Sequence, residues 1–224
     1  MKRILLIILS IAIVAPAVRL NAQALETLKE RKALVKETKA ALNTRASKDA
    51  RKEAKRLEKE GWQVSPGTLP LEKQLDRIYL MQYEFDENMY PKYIMGDATS
   101  IGETYDAAKF QATELAKINL ATQIETEVTG LIDTEMSNMQ MSADEAASVA
   151  KTTAGLKSLL TQKIGRVLIP VECFRTLPNK NKEVRVMIAY DSQKALDQAK
   201  ALIREQLAAE SAELVSKLDG AIGK

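Results

Sequence analysis

No histidine occurs among the 224 residues of this chain, and that absence bounds its chemistry before any motif is read. It removes the Ser-His-Asp and Cys-His nucleophile systems and the commonest metal ligand. The one cysteine, Cys173, lies in an alternating apolar run and reads as strand core, because a reactive thiolate needs an electropositive, accessible setting. Ser148-Val-Ala-Lys151 matches S-x-x-K, the nucleophile motif of penicillin-interacting enzymes. No S-D-N or K-T-G partner follows it, since Lys151-Thr152-Thr153 is not one. Tyr105 and Lys109 have the spacing of a reductase tyrosine-lysine pair, but no G-x-G-x-x-G precedes them. The acidic groups Asp86-Glu87 and Asp133 with Glu135 lack the loop spacing of a calcium site and read as solvated. No catalytic, cofactor-binding or metal-ligating residue is assigned, and no cofactor is implied. A serine hydrolase using Ser148 and Lys151 is the enzymatic alternative.

Tyr105 and Lys109 open the stretch Tyr105–Val128, which the spacing reads as one long helix. Ala108, Ala112 and Ala116 recur every four residues and Leu120 and Ile124 continue the row, so one face carries a ridge whose first half is short enough for close packing. Phe110, Ile118 and Ala121 fall on another side, and two apolar faces predict a helix buried between layers. Thr104 is the expected N-cap, with Asp106 near the positive helix end. Upstream, Leu71, Leu75, Ile78 and Tyr79 give a short amphipathic helix, and Tyr93–Met95 a strand. Downstream, the β-branched run Val128–Met136 predicts a second strand. Ser142 with Glu145 forms a capping box for a helix to about Lys163.

Ser148 and Lys151 therefore sit on that helix, and Cys173 on the strongest β signal. Val167, Ile169, Val171 and Cys173 alternate along one face, as do Val184, Val186, Ile188 and Tyr190, and the polar PNKNK connector joins the two runs as a hairpin. Pro170 lacks an amide donor, which places its strand at an edge or a bulge. Asp191 or Ser192 starts a last helix with an apolar stripe from Ala195 to Leu207, ending near Gly220. The fold class is α+β: a small sheet with a C-terminal β-hairpin covered by long helices, preceded by a charged helical N-terminal segment.

Residues 1–24 read as a secretory signal peptide: Lys2 and Arg3, an apolar run from Ile4 to Val14 too short to span a bilayer, then Pro16 and the small residues Ala22 and Ala24. No cysteine follows the signal to carry a lipid, so a periplasmic or secreted protein is expected. Its removal takes 33 basic residues to 30 against 30 acidic, so the alkaline pI of about 8.8 belongs partly to the discarded piece. Residues 25–60 hold 12 basic and 7 acidic residues and read as one or two helices with a break near Asn43–Ser47. This segment is either a basic arm for anionic lipid, cell-wall polymer or an acidic partner, or a solvated helix docked by a narrow stripe. Any membrane contact is confined to it, and no aromatic interrupts its cations to stack bases, so nucleic acid is not a partner. Residues 61–70, with two prolines and two glycines, form the expected linker. Trp62 either pins that linker to the body or faces a ligand. Residues 71–224 are the expected α+β domain.

The run Tyr93–Val128 with its small residues every four positions, followed by VECFRTLPNKNKEVRVMIAYD, resembles the lipoprotein-20-like family of bacterial envelope proteins, itself similar to the N-terminal domain of a flagellar T-ring protein. The resemblance covers roughly Tyr93 to Asp191 and implies a small envelope-associated α+β protein. It transfers no site residue, and the chain departs from the lipoprotein members in lacking the acylated cysteine. The expectation is a non-catalytic exported module that binds an envelope protein or cell-wall component, or assembles with itself through exposed helix faces. The alternative is the envelope hydrolase using Ser148/Lys151.

Overall fold

A computed structural model describes residues 44–137 and 142–208, together with residues 29, 32, 33, 36, 215 and 216. The expected signal peptide and the helix end near Gly220 lie outside the described residues. The elements of the larger compact unit, which begins at Ala46, are α1 (Lys48–Lys59), α2 (Leu71–Gln82), β1 (Tyr93–Gly102), α3 (Tyr105–Ser137), α4 (Ala143–Lys163), β2 (Leu168–Thr176), β3 (Lys182–Asp191) and α5 (Ser192–Ala208). Residues 61–70, expected as a linker between domains, connect two elements of this one unit. The other unit, Met1–Arg45, is described at few residues.

The sheet is antiparallel with order β1-β3-β2. β1 pairs with β3 without interruption, from Tyr93 opposite Asp191 to Gly102 opposite Lys182. β2 and β3 form the expected hairpin, closed by Leu177–Asn181, where Lys180 takes φ +68°. Alternation on β3 follows the sequence: Val184, Val186 and Ile188 are fully buried on one face. β2 does not alternate throughout. Its register shifts by one residue between Leu168 and Val171, so the strand is both the edge and the bulge that Pro170 requires. The extra residue turns Val171 and Cys173 to one core, while Val167 packs on the other and Ile169 is exposed. The single apolar face expected for all four residues is therefore broken.

On one face of the sheet lies α3, with α4 and α5 beside it. Its row of Ala108, Ala112, Ala116, Leu120, Ile124, Val128 and Ile132 is buried against Ile94, Val184, Val186 and Ile188. The approach to β1 is close enough to dictate residue type. A Cβ at Gly96 would stand 2.4 Å from the Ala116 carbonyl oxygen, and one at Gly102 2.8 Å from the Ala108 amide nitrogen. The helix starts where Thr104 accepts from the Ala107 amide through its side chain. It continues through Val128–Met136, so the strand expected there is helix. β-branched content at Val128, Thr129 and Ile132 is overridden by burial of Val128 and Ile132 at the same four-residue spacing. The second apolar side is only half covered: Ala121 is buried near α4 and α5, Ile118 is half-buried, and Phe110 is 69% exposed. The helix is thus not sandwiched along its length.

α4 begins with the expected reciprocal capping box between Ser142 and Glu145. The opposite sheet face is covered by α1 and α2. Ser47 caps α1 after the break at residues 44–47, and Ala50, Ala54 and Leu57 dock it on Leu71, Leu75 and Ile78 of α2 by a narrow stripe, its cations remaining outside. Val171 and Cys173 of β2 complete this smaller core.

Substituting Gly96→Ala is expected to destabilise the fold by about 1–3 kcal/mol, because the new methyl meets backbone that cannot yield cheaply. Gly130→Ala, on α3 where nothing lies within 4 Å of the added methyl, should instead stabilise by about 0.5–1 kcal/mol. Urea unfolding monitored by circular dichroism separates the two; equal effects would refute the close-contact account.

Candidate functional site

Polar side chains from four parts of the chain converge where residues 61–70 meet α3 and β2. Gly61, at φ +88°, turns the chain out of α1. Trp62 then packs in the smaller core at 7% exposure, with the Arg175 guanidinium 4.8 Å from its ring centre. The tryptophan pins this segment, as one reading of the sequence expects. Gln63 exchanges two backbone hydrogen bonds of 2.8 Å with Phe174, covering part of the outer edge of β2. Ser65 is thereby set against the first turn of α3.

Its hydroxyl donates to the Tyr105 oxygen at 2.8 Å. The Tyr105 hydroxyl donates to Glu172 Oε1. One helical turn on, the Lys109 ammonium lies 2.9 Å from Glu172 Oε2. Tyr105 and Lys109 meet because residues four apart share a helix face, and Glu172 reaches them because it alternates with Val171 and Cys173 to the α3 side of β2. Phe174 packs edge-on against the Tyr105 ring, with centroids 5.0 Å apart. Behind them, buried Gln74 accepts from the Glu172 amide at 2.7 Å and donates to the Leu69 carbonyl at 2.8 Å.

The electrostatics make this a lock. Burial pushes the Tyr105 phenol up, and its hydrogen bond to Glu172 pushes it further, which outweighs the opposing effects of Ser65 and Lys109. Burial draws the Lys109 ammonium down, but the hydrogen bond and charge of Glu172 more than reverse that, leaving it raised. A general base or nucleophile at neutral pH needs the reverse shifts. With Ser65, Tyr105 and Lys109 all engaged on protein atoms, the group ties residues 61–70, α2, α3 and β2 together. A hollow of about 450 Å³ opens beside it, lined by Trp62, Val64, Ser65, Pro66, Thr68 and Leu71, and the Ser65 hydroxyl is engaged on Tyr105.

The other sequence candidates stay apart from this group. Ser148 is half-buried and Lys151 exposed within the early turns of α4. Cys173 is buried among Trp62, Leu71 and Leu75, and burial pushes its thiol up to about 11. Asp86 is spent on its own turn, accepting from the amides of Asn88 and Tyr90. Among the described residues no group of three or more His, Cys, Asp or Glu side chains is placed to hold a metal ion, and no helix is long and apolar enough to cross a membrane. Sequence reasoning singled out Tyr105 and Lys109 but missed Ser65, Gln74 and Glu172. Glu172, a lone carboxylate in an apolar strand, was the available signal.

A second feature follows α2. Leu80, Tyr83, Phe85, Met89 and Tyr90 are all exposed, Tyr83 by 78% and Met89 by 75%. The chain here is a built hairpin: Phe85 bridges Pro91, the Lys92 amide donates to the Glu84 carbonyl, and the Lys92 ammonium lies 3.2 Å from Glu84. Asp86 closes its tip, where Met89 takes φ +64°. Comparison with protein-family models, with curated proteins and with solved structures finds no match to this chain.

Two outcomes follow, one from the lock and one from the burial of Cys173. Raised Tyr105 and Lys109 both favour the protonated forms in the folded state, so their contribution is present below the unfolded values of about 10 and is lost as pH rises through the higher folded ones. Thermal melts should fall above about pH 10, and less steeply in Tyr105→Phe. Cys173 should react with a thiol-specific chromogenic reagent only on unfolding; rapid labelling of the native protein would contradict its placement.

Proposed function

We propose that this chain is a non-catalytic exported envelope protein, a binding module of the periplasm or cell surface. The observation that carries the reading is the end of α2 with the hairpin after it: Leu80 and Tyr83 at the helix end, and Phe85, Met89 and Tyr90 on a hairpin fixed by its own hydrogen bonds, are five large apolar side chains held in water. Exposed apolar residues are ordinary singly, but five within eleven positions, three of them on a preformed hairpin, favour a docking role. The closed hydrogen bonding of Ser65, Tyr105, Lys109 and Glu172 further supports a structural rather than chemical use of the polar group. Export is the reading of residues 1–24, and the resemblance of Tyr93–Asp191 to the lipoprotein-20-like pattern supports an envelope setting. The partner class is an envelope protein or cell-wall component, or a second copy of the chain.

A photo-crosslinking residue in place of Tyr83, in the full chain expressed in a bacterial envelope, is expected to trap a discrete product. Chromatography with light scattering then shows whether that product is self-association. A strict monomer that crosslinks to nothing sinks the proposal. Labelling of Ser148 by a fluorescent penicillin, abolished in Ser148→Ala, would instead establish the hydrolase alternative.

A further inference from the structure

The apolar hairpin does not stand alone. Phe85, Asp86, Glu87, Asp191 and Ser192 line a hollow of about 520 Å³ between it and the start of α5. Three of these residues are carboxylates. Lys92, the cation at the same hollow, is engaged: its ammonium lies 3.2 Å from Glu84 and 5.5 Å from the Tyr93 ring centre. The Ser192 hydroxyl oxygen is buried, with no hydrogen-bond partner among the described residues. The N-terminus of α5 carries about half a positive charge, which the Asp191 carboxylate, accepting from the Lys194 amide at 2.9 Å, offsets. The field here is set by the acids.

Resting on the binding-module reading, we propose that this hollow receives a lysine or arginine side chain of a partner polypeptide whose neighbouring apolar residues lie on Phe85, Met89 and Tyr90. A long basic side chain suits both parts of the surface, because its methylene stem covers apolar groups while its charged head reaches the carboxylates. Charge complementarity separates this partner from a bilayer. Anionic lipid would meet Asp86, Glu87 and Asp191 with like charge, whereas a basic amphipathic polypeptide meets both surfaces favourably. Asp86 has a double role, holding the hairpin tip through two amides and contributing charge to the hollow.

The test uses the full chain and synthetic probes: a fluorescent leucine-lysine amphipathic peptide, a leucine-glutamate peptide with the same apolar face, and vesicles of zwitterionic and anionic lipid. Fluorescence anisotropy is expected to show binding of the lysine peptide, weakened by salt, with the glutamate peptide roughly tenfold or more weaker. Glu87→Lys, an exposed change, should lower affinity for the lysine peptide by roughly tenfold. Met89→Asn should also lower it, and asparagine accepts the positive φ of that position, so backbone and apolar effects are separated. Equal binding of the two peptides, indifference to both substitutions, preference for vesicles, or binding of no probe overturns the inference. If the peptides fail while a crosslinker at Tyr83 still traps an envelope product, the binding-module reading stands without it; if both fail, both fall.

Discussion

The contact between α3 and β1 is the constraint from which the rest of the architecture follows. At Gly96 and Gly102 the helix backbone lies nearer to the strand than any side chain would permit, and Ala108, Ala112 and Ala116 are the reciprocal concession on the helix. Such proximity has little to offer in buried area per residue, since neither glycine nor alanine has much surface to bury. What it offers is position. With the helix seated this low, Asn119 reaches the β1 edge and donates to the Asp97 carbonyl, and Gln111 meets Ser100. The larger Leu120, Ile124, Val128 and Ile132 then build the wider core with α4 and α5.

The same seating explains the polar lock. Because Ala108 must face Gly102, Tyr105 and Lys109 are rotated toward β2, where Glu172 waits on the same sheet face as Val186. A spacing that suggests a reductase pair thus arises from a packing requirement. Glu172, with 15% of its side chain exposed, is kept in a partly buried setting by two donors on α3. Removing either donor leaves a carboxylate underserved rather than merely freeing it, the asymmetry common to buried polar groups.

Much of this was readable in the chain. The alanine row, the capping box at Ser142, the Thr104 cap, the β3 alternation and the meaning of Pro170 are each local rules, and local rules survive when nothing tertiary opposes them. The failures are equally physical. Val128–Met136 looks like a strand because its residues favour one, yet their four-residue spacing matches the helix face already running through them. Phe110 looked like half of a second interface because periodicity reports which residues could share a face, not whether a partner reaches it. The segment 61–70 has linker composition and is bound to the body by Trp62, as one reading of that residue expects, and by Gln63, which no local rule announces. The polar lock was half visible: the helix pair is a spacing, while Ser65 and Glu172 join it from 40 and 67 residues away from Tyr105, a juxtaposition only the tertiary fold creates. The hairpin tip was missed because residues 86–92 carry neither a helix nor a strand period.

The single extra residue before Val171 gives β2 a property that has nothing to do with its strength. Side chains on a strand change face with every step, so the shift lets one short strand supply Val171 and Cys173 to the smaller core while Val167, an even number of residues back, packs on the larger one. Which core a residue joins is here a matter of parity. Losing one residue between Leu168 and Val171 would remove the bulge and keep Val167 on the larger core, three steps from Val171 in an unbroken alternation. Losing two would send Val167 toward α1 and α2 and bring the half-exposed Leu168 inward. Of these two changes, the loss of a single residue is the one that leaves both cores supplied as they are.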